Sequence, residues 1–163
     1  MAVEHVRAPG QRGQRDLRAW AVAEMRSFGD QPPARFRSAD PSGTIRVTVG
    51  ADDRVLDVEL DADWRDRFGP EYFDTALLSA YRGALHDSRY VRGLVRLAGA
   101  TVTEPASGAD GVDAVVRSPA GYLRLVRRGR SIRGAHADIR RIGSADPRAL
   151  CADVLAAFRL ALG

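Results

Sequence analysis

The chain has 163 residues, of which 45% are hydrophobic and 28% are charged, and its formal net charge is +4. This length allows one ordinary domain or two very small ones, and this composition is that of a soluble globular protein. No apolar run approaches the length of a membrane-spanning helix, and no apolar segment follows the basic N-terminus as a secretory signal would require. We therefore expect no membrane partner and a cytoplasmic location.

Arginine supplies all 25 basic residues. Its guanidinium keeps its charge and presents a planar fork of donors that suits phosphate oxygens, so the basic excess favours anionic partners, chiefly nucleic acid. The single cysteine, Cys151, excludes an internal disulfide and a cysteine metal site, and His5, His86 and His136 are too far apart for a zinc motif. We expect no metal, no cofactor and no enzymatic activity.

The first predicted element is a helix. Residues 1–15 are polar and basic, and we expect them to form a disordered N-terminus. Asp16 can cap the helix that follows, and apolar residues then recur at helical spacing until Gly29 ends it.

Strands are predicted next. We expect a short strand over 36–39 and then an antiparallel hairpin made of 44–49 and 54–60, because apolar and polar residues alternate along both segments. The alternation along the second segment predicts that Leu56, Val58 and Leu60 face inward.

A second helix is predicted to open at Pro70 and to carry an apolar stripe as far as Leu85. The stretch 87–97 also has a helical pattern. It is either a bent continuation of this helix or the counterpart of the first helix. Residues 100–111 contain proline, serine and glycine and are predicted to form a linker.

The remainder of the chain repeats this order. From the second hairpin strand onward the match holds at one fixed offset, which places Pro70 on Pro147 and Tyr81 on Phe158. The glycines Gly43 and Gly121 match only with a one-residue gap in the hairpin between them.

The repeat predicts strands at 112–117, 122–126 and 131–137. A last helix follows, capped by Asp146 with Pro147 at its first position.

Self-similarity at a fixed offset indicates a fold built from two like units. We predict an α+β fold in which two similar units, each a three-stranded antiparallel sheet with helices, pack as an intramolecular pseudo-dimer. The expected divisions are a disordered basic N-terminus 1–15, a first unit 16–99, a linker 100–111 and a second unit 112–163.

The hairpin and the helix after it resemble the YbaB/EbfC family of small nucleoid-associated proteins. The resemblance rests on the alternating strand that begins at Gly43, the strand from Val55 to Leu60, and the spacing of Leu77, Ala80 and Ala84 on the helix. It covers most of residues 38–85 and, more loosely, residues 117–162.

The resemblance implies an α+β homodimer that binds DNA with little sequence preference, in the cytoplasm and on the nucleoid. A relative of the family also occurs beside actinobacterial type VII secretion systems. This chain departs from the family pattern because its first helix is short and because two copies are fused, so that one chain can imitate the dimer. Its loop 51–63 is acidic and suits phosphate poorly.

An arginine-rich segment of the second copy is the strongest candidate site. Contacts of this kind with phosphate give affinity without sequence readout, but a charged cluster is also often only a solvated surface. The candidate DNA-binding residues are Arg117, Arg124, Arg127, Arg128, Arg130, Arg133, Arg140 and Arg141.

Two functions remain open from the sequence. The first is a nucleoid-associated, largely sequence-non-specific protein that binds duplex DNA through these arginines. The second is a non-enzymatic adaptor or scaffold that binds a protein partner or forms a homodimer, with type VII secretion as one setting.

Overall fold

The computed structural model describes residues 10–102, 104 and 111–163, and of residues 10–12 it describes only the backbone. The described residues form two compact units. The first comprises those of 1–33 and 89–103, and the second comprises those of 34–88 and 104–163. The disorder predicted for residues 1–9, and that part of the predicted linker which covers 103 and 105–110, lie outside the described residues.

The first helix, α1, spans Gly10–Arg26. It therefore begins before Asp16, earlier than the sequence predicted, and includes residues 10–15. Glutamine and arginine are good helix formers, and their propensity extends the helix toward the N-terminus in spite of two glycines. Within the first unit, the Arg18 Nε donates to the carbonyl of Ala98 at 3.2 Å.

The second unit contains both sheets. Sheet A is the antiparallel meander β1-β2-β3, and sheet B is the antiparallel meander β4-β5-β6. The predicted α+β fold with two similar three-stranded sheets is therefore confirmed. The strands are β1 Arg35–Ala39, β2 Ile45–Gly50, β3 Val55–Leu60, β4 Ala114–Arg117, β5 Leu123–Arg128 and β6 Ser131–Ala137.

Helical segments follow the third strand of each sheet. A short 3-10 turn at Pro70–Tyr72 leads into α3, which runs without interruption to Leu97, so 87–97 is a continuation of this helix. The last helix starts at Pro147 as predicted, and the Asp146 carboxylate accepts from the Ala149 N–H at 3.0 Å. The helices are α2 Trp64–Arg67, α3 Phe73–Leu97, α4 Ile139–Ser144 and α5 Pro147–Leu162.

The turns between the first two strands of each sheet are built alike. Gly43 and Gly121 both have φ of +74°, a left-handed conformation that glycine adopts without strain. The N–H of the first residue of the second strand is bound by the side chain five residues earlier in both sheets: Asp40 binds Ile45 at 2.7 Å, and Ser118 binds Leu123 at 2.9 Å.

Each sheet also carries a bulge at the same place. In sheet A the register shifts between Thr48 and Val49, and in sheet B it shifts between Val126 and Arg127. The extra residue of sheet A is Leu56, which is 37% exposed, whereas Val55 is buried. The expectation that Leu56 faces inward is thus wrong, because a bulge reverses the alternation of side chains along a strand.

The core of the second unit lies between the sheets and the helices. Ile45 and Leu123, at equivalent positions of the two sheets, are both almost fully buried, and so are Tyr81 of α3 and Phe158 of α5. The two rings are in contact, with centroids 4.9 Å apart. Within the described residues, none of the helices combines the length and apolar character that a bilayer-spanning segment needs.

Candidate nucleic-acid interface

The outer surface of sheet B carries a row of two arginines and one histidine. Arg117 of β4 lies directly opposite Arg124 of β5, which in turn lies opposite His136 of β6. Leu123 and Leu125 are buried on the inner face, so strand alternation directs Arg124 outward. Like charges placed directly opposite each other destabilise a sheet. Among the residues that the structure describes, no carboxylate lies within ion-pair distance of either arginine.

Arg141 joins this row from α4. Its Nη1 donates to the carbonyl of Ala120 at 3.0 Å, which holds the side chain over the turn between β4 and β5. Together with the row, it encloses a surface cavity of about 250 Å³. The cavity is lined by Arg117, Gly121, Tyr122, Leu123, Arg124, His136, Ala137, Asp138 and Arg141.

Two of the predicted arginines already have partners, Arg127 within the β5–β6 hairpin and Arg128 at the residue that precedes β4. Arg127 Nη1 donates to the carbonyl of Gly129 at 2.9 Å, and its buried Nε has no partner in the described part of the chain. Arg128 pairs with Asp113 at 2.8 Å, and both side chains are about half exposed. The hairpin therefore does not present these side chains outward together.

The other predicted arginines lie away from the cavity. Arg133 and Arg140 are exposed, and Arg130 is half-buried in the turn between β5 and β6. No hydrogen bond or ion pair of these three side chains occurs among the described residues. The structure thus brings together only Arg117, Arg124 and Arg141.

Sheet A uses its arginines differently. Glu59, which occupies the position equivalent to His136, forms ion pairs with Arg37 and with Arg46, the latter at 3.0 Å. Arg46 also pairs with Asp61, and Asp61 pairs with Arg67 at 3.1 Å. This surface therefore carries both charges in contact, as a structural ion-pair network does.

These ion pairs lower the pKa values of two carboxyl groups in sheet A. Hydrogen bonds from Arg46 hold the pKa of both Glu59 and Asp61 below its ordinary value, against the opposing effect of burial. The Glu59 pKa is lowered further by Arg37. Both carboxylates are therefore ionised at neutral pH and neutralise the arginines beside them.

The second unit also contains two half-buried titratable groups on its long helices. Burial raises the pKa of the Cys151 thiol to about 11, so the thiolate is scarce at neutral pH. Burial also raises the pKa of Asp74, whose carboxylate accepts from the Ala137 N–H at 2.9 Å. Among the described residues there is no group of His, Cys, Asp or Glu side chains that could hold a metal ion.

Sequence reasoning missed His136 and Tyr122 as members of the cavity. The available signal was the strand register, since a hairpin that pairs Leu123 with Ala137 also pairs Arg124 with His136. That register depends on the bulge and on the turn length, which alternation of residue types does not fix.

No protein-family model, curated protein or solved structure matches this chain.

Proposed function

We propose that this protein binds duplex DNA with little sequence preference through the arginines of sheet B, as a nucleoid-associated protein of the cytoplasm. The proposal agrees with the resemblance of its hairpin and helix to the YbaB/EbfC family. Guanidinium contacts with phosphates supply affinity that does not depend on base sequence, and they release condensed counterions.

The observation that carries the proposal is the contrast between equivalent positions. Arg46 and Arg124 occupy the same place in their sheets, yet Arg46 is paired with two carboxylates while Arg124 faces Arg117 and His136. An unpaired row of this kind costs stability, and an anion supplied by a partner offsets that cost.

We further propose that the two repeats pack as an intramolecular pseudo-dimer. Asp74 of α3 binds the N–H of Ala137 in sheet B, and at the equivalent residue of α5, Cys151, the backbone of Leu60 in sheet A acts to lower the pKa of the thiol, against the larger effect of burial. Leu60 and Ala137 are themselves equivalent. Reciprocal contacts of this kind are characteristic of a two-fold interface. Such a protein is expected to sediment as a monomer of 17.7 kDa.

The DNA proposal is tested by fluorescence anisotropy with two duplexes of unrelated sequence over a range of salt concentrations. We expect both to bind with similar affinity. The substitution pair Arg117→Gln with Arg124→Gln should weaken binding roughly tenfold at low salt and reduce the slope of log K against log salt by about 2.

The matched control is Arg35→Gln with Arg54→Gln, which removes the same net charge from sheet A. This pair should change the affinity far less. Equal losses in both double variants would show that net charge alone acts and would overturn the assignment to sheet B. An absence of binding at about 50 mM salt, a condition under which non-specific affinity is high, would overturn the DNA proposal itself.

A second candidate function, a protein–protein adaptor, is favoured by the first unit. Leu17 and Trp20 of α1 are 51% and 46% exposed, and Tyr90 and Leu97 of α3 are also exposed. Leu17 and Leu97 line one surface cavity, and exposed apolar side chains that lie together mark interaction surfaces. This alternative predicts no DNA retention at physiological salt and a stoichiometric protein partner whose binding is lost when Leu17 and Trp20 are both replaced by Ser.

A further inference from the structure

We propose that the cavity of sheet B binds a phosphate monoester, meaning the terminal phosphate of a nucleic-acid strand or of a free nucleotide. The inference rests on the proposed function, because it assumes that the ligand is a nucleic acid or a nucleotide. It specifies which kind of phosphate group the cavity binds. The cavity is lined by three arginines, one histidine and one tyrosine, and by one carboxylate, that of Asp138.

The charge of the cavity favours a dianion. Asp138 is oriented toward α4, where its carboxylate accepts from the N–H of Arg141 at 3.2 Å. Three guanidinium groups and one carboxylate leave an excess of about two positive charges. A backbone phosphodiester carries a single negative charge, whereas a phosphate monoester carries about −1.5 to −2 at pH 7. The monoester therefore neutralises the cavity more completely.

The geometry favours a group with several oxygen atoms. Arg117 and Arg124 approach from adjacent strands, and Arg141 approaches from α4. Each guanidinium presents a planar fork that matches two oxygens of a phosphate. Gly121 belongs to this arrangement, because a side chain built there would bring its Cβ within 2.5 Å of Arg141 Nη1.

The size of the cavity limits the ligand. Its volume of about 250 Å³ lies below the range of roughly 300–1,000 Å³ that is typical of sites for whole small molecules. It accommodates a phosphate with the adjoining sugar rather than an entire dinucleotide. Tyr122 and His136 supply flat side chains beside that position.

The site belongs to one repeat and is not a general property of the fold. Under the internal equivalence, Arg117, His136 and Arg141 correspond to Ala39, Glu59 and Trp64 of the first repeat. Glu59 is an anion, and Trp64 is completely buried. The second repeat has therefore acquired several phosphate-binding groups at positions where the first has none.

The test compares ligands that differ only in the phosphate, at constant ionic strength. Binding is measured for a short single-stranded oligonucleotide with a 5′-phosphate and for the same strand with a 5′-hydroxyl. Deoxyadenosine 5′-monophosphate and deoxyadenosine form the second pair. We expect at least one pair to show a preference of about tenfold or more for the phosphorylated member, as 1.4 kcal/mol of extra interaction would give.

Variants assign the preference to the cavity. Arg124→Gln and Arg141→Gln should each abolish it, and Arg124→Lys should reduce it, because lysine keeps the charge but lacks the fork. Arg133→Gln, in the same sheet but outside the cavity, should leave it unchanged. Circular dichroism establishes that each variant is folded, and all three replaced arginines have exposed side chains.

Each outcome separates this inference from the proposed function. A preference in the oligonucleotide pair alone identifies a strand end as the ligand, and a preference in the nucleotide pair identifies a free nucleotide, even if duplex DNA fails to bind. Duplex binding without a preference in either pair overturns the inference and leaves the proposed function standing. A preference that survives Arg124→Gln and Arg141→Gln also overturns it.

Discussion

Sheets A and B have the same strand order, equivalent glycine turns and bulges at equivalent places, yet their outer surfaces differ in charge. The row Ala39, Arg46 and Glu59 in sheet A corresponds to Arg117, Arg124 and His136 in sheet B. Inner positions of both sheets remain apolar because the fold needs them. Outer positions have no such constraint, and there the two repeats have become different surfaces.

The comparison predicts which substitutions affect stability and which affect binding. Where the repeats agree, a substitution should destabilise the protein. Where the repeats differ, a substitution should alter the contacts or the binding of one sheet and leave those of the other sheet unchanged.

The largest effect on stability is expected in the buried core of the second unit. Phe158→Ala removes a completely buried ring that contacts Tyr81, and it should lower the free energy of unfolding by about 3–5 kcal/mol. Urea denaturation measures this value. Leu160→Ala, on an exposed position of the same helix, is the control and should cost less than about 0.5 kcal/mol. Equal losses of stability in the two variants would contradict the burial of the Phe158 ring.

Asp153→Ala is expected to lower the free energy of unfolding by a smaller amount. The buried carboxylate of Asp153 accepts from the N–H of Ala120 at 2.6 Å and from that of Tyr122 at 3.3 Å, so its removal leaves donors of the sheet B turn without a partner. The expected cost is about 1–3 kcal/mol.

Hydrogen exchange sharpens this prediction. Asp153 corresponds to Ala76 in α3, and alanine has no carboxylate that could accept from a turn N–H. In sheet A the turn between β1 and β2 is held by Asp40, whose carboxylate accepts from the N–H groups of Ser42 and Ile45. Amide exchange in Asp153→Ala should accelerate at Ala120 and Tyr122 and remain unchanged at Ile45. Acceleration at all three amides would mean that the two turns are not independent.

The elements of the fold were largely predictable because their signals are local. Alternation located the strands, and Asp146 with Pro147 located the start of α5. The orientation of Leu56 and the pairing of Arg124 with His136 were not predictable, since both depend on bulges that composition does not encode. The pairing of Arg128 with Asp113 likewise joins β5 to the residue before β4 through space, which the linear charge pattern did not reveal.

The double variant Glu59→Gln with Asp61→Asn reduces the difference in charge between the outer surfaces of sheets A and B. Removing both carboxylates frees Arg37 and Arg46 to meet phosphate, so DNA affinity should rise severalfold, while stability at pH 7 should fall only slightly because the pairs are partly exposed. Anisotropy and urea denaturation give the two values. An unchanged affinity would mean that sheet A does not lie near bound DNA.

The same variant has a pH signature. The folded-state pKa values of Glu59 and Asp61 are lowered, so their stabilising contribution is present above the unfolded values of about 4 and is lost as pH falls through the folded values. The stability difference between the wild-type protein and the variant should therefore shrink as pH falls below about 4. A constant difference down to pH 2 would indicate that the ion pairs do not contribute.

The smallest effect is expected at Asp74. Its pKa is raised by burial, so the folded protein binds this proton more readily than the unfolded chain does, and the ionised carboxylate is unfavourable in the fold at neutral pH. Asp74→Asn keeps an oxygen that accepts from the Ala137 N–H but removes the half-buried charge. The variant should have a slightly higher urea midpoint at pH 7.

This gain should vanish at about pH 3, where aspartate is protonated in both states. Asp87→Asn, on an exposed position of the same helix, controls for the general effect of charge removal and should not reproduce the gain. A lower midpoint for Asp74→Asn at pH 7 would show that the carboxylate charge strengthens its bond to Ala137 by more than burial costs. Such a result would make the contact between α3 and sheet B an electrostatic one, unlike its counterpart at Cys151, where burial keeps the group neutral.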